Sequence, residues 1–260
     1  MGREHEKMKV VYLVRHARAG VKGSSETDFD RPLEFQGIEE AKAISKRFFK
    51  TQPAPEQLIS SPAKRALQTA EIFAKRMNLP AENITLKDGL YGESNTQSLI
   101  QLIGDIEESQ SSVMLFGHDP QFSEAAAELA VGFDQQLPKA AIVGIGFDAE
   151  SWKDVAKGKG HVVFYDYPLT KAQRAKLDKA ARKEIASKLE TIISDALKTV
   201  DEIGTGKLKG DIRKTSQKIA EKFLEVAKGS NTIFRRWAPT IPLDADTDEK
   251  VKKTKREKSS

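Results

Sequence analysis

Apolar and polar positions follow two rhythms along the chain. Through the first 169 residues, short apolar runs alternate with longer segments in which apolar residues recur every third or fourth position. The runs Val10 to Val14, Gln57 to Ile59, Val113 to Phe116, Ala141 to Phe147 and His161 to Asp166 read as strands. Between them, Gln36 to Lys50, Pro62 to Met77 and Gln97 to Glu108 read as helices. In the second of these Ala66, Ala70, Phe73 and Met77 form the apolar face, with Ser61 placed to cap and Pro62 in the first turn. Alternating strands and helices predict an α/β layer architecture with a mainly parallel sheet.

From Thr170 the rhythm becomes purely helical. Leu177, Ala181, Ile185, Leu189, Ile192, Ala196 and Val200 share one stripe, and Thr170 with Gln173 has the spacing of a capping box. Gly204 and Gly206 interrupt the run. Leu208, Ile212, Ile219, Phe223 and Val226 then make a second stripe, so residues 170–230 predict an antiparallel helical hairpin. Residues 231–260 carry Pro239, Pro242 and a charged run with little to bury, which predicts a disordered tail.

Charge divides the chain at the same place. Up to Leu169 there are 20 lysines and arginines against 24 acidic residues, and from Thr170 onward 23 against 14. The basic hairpin is a candidate dock for an acidic partner, but it mixes in Asp and Glu and lacks interleaved aromatics. A solvated helix face is therefore the preferred reading, and nucleic acid is not the expected partner. No apolar run reaches the length of about 20 residues that crosses a membrane, which leads to the expectation of a cytoplasmic protein without a membrane partner. The chain has no cysteine, so disulfides, thiolate metal sites and cysteine nucleophiles are excluded.

The remaining chemistry concentrates in turns after strands. "VYLVRH" and "VMLFGHD" both run from an apolar strand into a histidine, His16 and His118. In open α/β sheets, ligands bind outside the carboxyl ends of the strands, so neighbouring strands would put both imidazoles and Arg15 into one crevice. "LISSPAKRALQTA" adds Arg65 near the start of a helix, where amide groups and a guanidinium favour an anion. Such cationic neighbours lower the histidine pKa values and leave one ring neutral and nucleophilic. Arginines repel a metal cation, and no paired-histidine spacing suggests a metal site.

Taken together, "VRHA" at Val14 to Ala17, "DFDRPLEFQG" at Asp28 to Gly37, "SSPAKRALQTA" at Ser60 to Ala70 and "FGHDP" at Phe116 to Pro120 resemble the histidine phosphatase superfamily, in particular its SixA-type phosphohistidine phosphatase branch. The resemblance spans roughly Lys9 to Asp166. It implies a three-layer, phosphoglycerate-mutase-like sandwich over residues 1–169, to which the hairpin is appended. It also implies His16 as the nucleophile, Arg15 and Arg65 as phosphate ligands, and His118 as a further catalytic and phosphate-binding residue that neutralises transition-state charge. No cofactor or metal is implied, and the expected substrate is a phosphorylated protein carrying phosphohistidine. Ala17 stands where many relatives have glycine. The superfamily's acidic proton donor has a candidate in Glu93, whose surroundings match the motif poorly. Arg31 is a candidate substrate contact, or alternatively only a partner for turn hydrogen bonds and an ion pair. Two other functions stay open on the residues: hydrolysis of a small phosphorylated metabolite or nucleotide, and a phosphate-recognising interaction module with vestigial catalysis.

Overall fold

The computed structural model describes residues 8–20, 27–91, 95–155, 159–200 and 202–227. They fall into two compact units, which divide between Gln173 and Arg174 and again between Glu225 and Val226.

The first unit is built on a six-stranded sheet. β1 (Met8–Arg15), β2 (Gln57–Ser60), β3 (Thr85–Leu86), β4 (Ser112–Gly117), β5 (Ile142–Asp148) and β6 (His161–Asp166) are ordered β3-β2-β4-β1-β5-β6. The first four are parallel, and β5 and β6 run antiparallel to their neighbours. The five expected strands are all present, and the sheet is mainly parallel. β3 is an addition that a two-residue strand cannot announce through alternation.

Four helices cover the sheet: α1 (Phe35–Thr51), α2 (Lys64–Arg76), α3 (Thr96–Gly104) and α4 (Gln121–Leu129). Their arrangement follows from strand alternation. Val10, Tyr12 and Val14 of β1 and Met114 and Phe116 of β4 join one core cluster with residues of α1 and α2. The intervening Val11, Leu13, Val113 and Leu115 are also fully buried, so the opposite sheet face is covered as well. Phe48 is the hub of the first face. Its ring lies 4.9 Å from Tyr12, 5.0 Å from Phe49 and 5.2 Å from Phe164, each in edge-to-face geometry. Burial pushes the Tyr12 hydroxyl pKa up to about 12.

Two helical boundaries differ from the sequence reading. α2 begins at Lys64 with Ala63 in the cap position and no side-chain cap, because the Ser61 hydroxyl is engaged elsewhere. α3 ends at Gly104 rather than continuing to Glu108, whose carboxylate accepts hydrogen bonds from Ser151 and the Trp152 amide. α4 has no counterpart in the sequence reading. Its nine residues, alanine-rich and directly behind Pro120, are too few for a clear apolar period.

The second unit holds α5 (Lys171–Lys198) from Arg174 onward and α6 (Glu202–Ala227) as far as Glu225. Lys171 to Gln173 belong to the first unit, where the capping box forms reciprocally: Thr170 N donates to Gln173 Oε1 at 2.9 Å, and Gln173 N to Thr170 Oγ1 at 3.1 Å. Arg182 pairs with Glu221 at 2.8 Å, and one shallow groove joins Ala186 and Glu190 to Gln217 and Arg213, so the helices run antiparallel. Gly204 and Gly206 lie inside α6, and the chain reverses between Lys198 and Glu202 instead. The apolar stripe of α6 is also reassigned. Thr205, Ile212, Ser216, Ala220 and Leu224 are buried, whereas Leu208, Ile219 and Phe223 are exposed. The buried row thus includes the small residues Ser216 and Ala220 four positions apart, which a search for bulky apolar side chains does not pick out. Of the other expected stripe, Ile192 on α5 and Val200 just beyond its end are exposed as well. The expected tail, residues 231–260, lies outside the described residues. Among the described residues no helix is long and apolar enough to cross a membrane.

One glycine fixes the approach of α1 to the turn after β1. A Cβ on Gly37 would lie 2.1 Å from the Arg18 carbonyl oxygen, a backbone atom that cannot swing aside. Gly37→Ala is expected to cost about 1–3 kcal/mol and to lower the thermal midpoint by roughly 3–10 °C, measured by differential scanning calorimetry.

Candidate active site

β1 and β4 are adjacent and parallel, with Arg15 in register with Gly117. Each strand therefore delivers its next residue or so to the same edge of the sheet, and the rings of His16 and His118 stand 5.0 Å apart between centroids. The backbone beyond β1 is pinned on two sides. His16 N donates to Gly117 O at 3.0 Å, and Ala140 N donates to His16 O at 3.1 Å.

The His16 ring is buried and doubly engaged. Nδ1 lies 2.7 Å from the Ala17 carbonyl, and Arg65 Nε donates to Nε2 at 3.3 Å. A carbonyl only accepts and a guanidinium only donates, so the ring carries its proton on Nδ1 and turns the Nε2 lone pair toward Arg65. Burial, with His118, Arg65 and Arg15 nearby, pushes the His16 pKa down to about 3. His16 is thus held as a neutral imidazole, and burial contributes more to this than the cationic neighbours. His118 is likewise pushed down to about 4, by burial and then by Arg65.

His118 is oriented by Ser61, whose Oγ lies 2.9 Å from Nε2 and also accepts from the Ala63 amide at 3.3 Å. The second nitrogen of the His118 ring is Nδ1. This buried atom has no hydrogen-bond partner among the described residues, and neither has Arg15 Nε. A buried polar atom without a partner is costly; an anionic oxygen is the acceptor that the Arg15 N–H would take, and His118 Nδ1 would take the same acceptor when it carries the ring proton.

The guanidiniums are held by carboxylates and carbonyls. Arg15 donates to the Leu137 carbonyl at 2.6 Å and lies 3.4 Å from Asp119. Arg65 uses its Nη atoms on Asp28, donating to the main-chain oxygen at 2.5 Å and to Oδ2 at 2.9 Å. Arg31 pairs with Asp28 at 2.6 Å and reaches the Gly20 carbonyl at 3.3 Å. Arg31 is thus one Asp28 pair away from Arg65, and its own contacts are those of the turn and ion-pair alternative. Burial opposes ionisation of Asp28, but Arg65 and Arg31 outweigh it and hold its pKa below the usual carboxylate value. Glu93 lies outside the described residues. Among the described residues, no group of three or more His, Asp or Glu side chains has the arrangement to hold a metal.

Four contributors were not singled out as site residues from the sequence. Thr69 Oγ1 accepts from the Ala17 amide at 3.1 Å and donates to the Arg65 carbonyl at 2.7 Å, tying the turn after β1 to α2. Its signal was the position one helical turn after Arg65. Asp28 and Asp119 stood in quoted motifs, but only tertiary contacts give them partners. Tyr91 packs edge-on to His118 at 5.4 Å and had no motif signal.

Residues 11–103 match the histidine phosphatase superfamily (branch 1). The matched stretch runs from β1 to α3 and carries Arg15, His16 and Arg65. A protein from Agrobacterium tumefaciens assigned as the phosphohistidine phosphatase SixA is 25% identical in structural alignment, with a TM-score of 0.51, covering 62% of this chain and 99% of that one. The protein histidine phosphatase SixA in complex with tungstate aligns at 22% identity and a TM-score of 0.52, over 61% of this chain and 97% of its own. An uncharacterized protein of Picosynechococcus is 29% identical over 139 residues, which cover 52% of this chain and 83% of that protein.

The two depressed histidine pKa values have a thermodynamic consequence. In the unfolded chain each histidine takes a proton near pH 6.5, whereas in the fold they do so near 3 and 4. Between those limits the unfolded state binds more protons, so stability is full above about pH 6.5 and falls as the pH drops. Urea titrations are expected to show this decline, and His16→Asn is expected to flatten it.

Proposed function

We propose that this chain dephosphorylates protein phosphohistidine, with His16 as the nucleophile, through a phosphohistidine intermediate and without a metal. The observation that carries this reading is the pairing of a neutral His16, whose Nε2 lone pair is free to leave its long contact with Arg65, with two buried unpartnered nitrogens, His118 Nδ1 and Arg15 Nε.

In the first step His16 Nε2 attacks phosphorus, the bond between phosphorus and the substrate nitrogen breaks, and that nitrogen keeps the electron pair. Arg65 contributes through donors that Asp28 does not occupy. Of its five N–H groups, one faces His16 and two face Asp28, which leaves two for phosphoryl oxygens. With Arg15 and His118 these donors surround the charge that spreads over the equatorial oxygens, so the acceleration comes from positioning and fixed dipoles. In the second step water attacks the phosphorus on His16 and releases inorganic phosphate, restoring the neutral ring. Replacing one imidazole on phosphorus by another makes the first transfer nearly balanced in bond energy. The resemblance to SixA-type phosphatases and the alignment with the tungstate-bound SixA support the same substrate class.

Turnover of a phosphohistidine-bearing protein is expected to be rapid, insensitive to EDTA, and reduced by at least about 10³-fold in His16→Ala, as measured by phosphate release. Preference for small phosphomonoesters would overturn the substrate assignment, and full activity of His16→Ala would overturn the nucleophile.

A further inference from the structure

A line of rings leads from His16 toward the surface. The centroid of His16 is 5.0 Å from His118, His118 is 5.4 Å from Tyr91, and Tyr91 is 5.2 Å from Phe29. Phe29 is 37% exposed, unusual for a phenylalanine that touches other rings on its inner side. Beside this wall stands Asp28, whose side chain is 46% exposed while its oxygens accept from Arg31 at 2.6 Å, Arg65 at 2.9 Å and Tyr91 Oη at 3.4 Å. A carboxylate has about four acceptor positions, so one position remains on the open side after these three contacts. The loop is fastened to the nucleophile turn: Gly20 N donates to Pro32 O and Glu34 N to Arg18 O, both at 3.0 Å, and Lys64 N donates to Phe29 O at 3.0 Å. Asp28 and Phe29 are thus held at a defined place at the mouth.

The charges there are unevenly matched. Arg15 has Asp119 as its counter-ion, and Arg31 and Arg65 share Asp28. These three guanidiniums and two carboxylates leave one excess positive charge, which a phosphoryl dianion overshoots by one. A leaving group bearing a single positive charge closes the difference, and one bearing none does not.

We propose that Asp28, with the Phe29 and Tyr91 rings, forms the leaving-group subsite, and that it selects a phosphoimidazole protonated on its distal nitrogen. The proposal rests on the phosphohistidine reading above and deepens it. The distal N–H donates to the open Asp28 position while the ring lies along the aromatic wall. When His16 Nε2 takes the phosphoryl group, the electron pair of the breaking bond stays on the proximal nitrogen and cancels the ring's positive charge. The distal proton stays where it was, so a neutral imidazole departs and no general acid is consumed. An unprotonated phosphoimidazole would instead have to leave as an imidazolate anion. Arg31 and Arg65, which keep Asp28 ionised, hold the subsite in the state that favours the protonated ring.

The test compares two substrates with one enzyme preparation: a phosphohistidine-bearing protein and p-nitrophenyl phosphate, whose phenolate needs no proton to leave. Wild type, Asp28→Asn and Asp28→Glu are measured from mildly acidic to mildly alkaline pH. The Asn variant is expected to lose at least about tenfold more kcat/KM on phosphohistidine than on the nitrophenyl ester, the size of one charge-assisted hydrogen bond. Its phosphohistidine profile is expected to fall off at lower pH than wild type, and the Glu variant to recover part of the difference. Equal losses on both substrates with an unmoved pH profile would overturn the subsite and leave Asp28 as a support for the arginines. Wild type that hydrolyses the ester but never phosphohistidine would overturn the underlying reading, and the subsite with it, before any variant is compared.

Discussion

A buried imidazole beside guanidiniums is the constraint on which the site depends. Water would let His16 take a proton and lose its lone pair; burial and the cationic neighbours together keep it neutral. Everything around it serves two ends, fixing the tautomer and keeping the arginines close without their collapsing on one another. The Ala17 carbonyl does the first by engaging Nδ1. Asp28, Asp119 and the Leu137 carbonyl do the second. The unfavourable burial of a titratable ring is offset by the surrounding apolar core, in which Val11, Leu13, Leu115 and Phe116 are fully buried beneath the strand ends.

This arrangement explains why the strands end where they do. Parallel neighbours β1 and β4 are buried on both faces and hydrogen-bonded on both edges, so their side chains have no route to a ligand within the sheet. Only beyond Arg15 and Gly117 does the backbone open, and both histidines sit at that limit. Phosphoryl transfer asks chiefly for positioned charge, which such a rigid edge supplies, and the Thr69 hydroxyl carries that rigidity across to Arg65.

The hairpin obeys a different logic. α5 and α6 are joined by the Arg182–Glu221 ion pair, Thr205, Ser216 and Ala220 of α6 are buried, and several large apolar side chains remain exposed. An amphipathic stripe identifies helices reliably. Choosing which of two overlapping rows faces inward depends on how closely the backbones can approach, and side-chain bulk read along one helix does not contain that distance.

The sequence by itself determined the α/β class, the five principal strands, the two-part division of composition and the grouping of Arg15, His16, Arg65 and His118, because periodicity and turn chemistry are local. It also carried the family resemblance, since the motifs occur in a specific order. The tertiary structure decided that Ser61 orients His118 instead of capping α2, that Arg31 meets Asp28, and that Tyr91 and Phe29 continue the line of rings. It decided as well which tautomer His16 adopts and which nitrogens stay unpartnered. These are relations between residues up to about a hundred positions apart, set by strand order and loop closure. No local pattern encodes them, because a hydrogen bond depends on distances that exist only after the chain has folded.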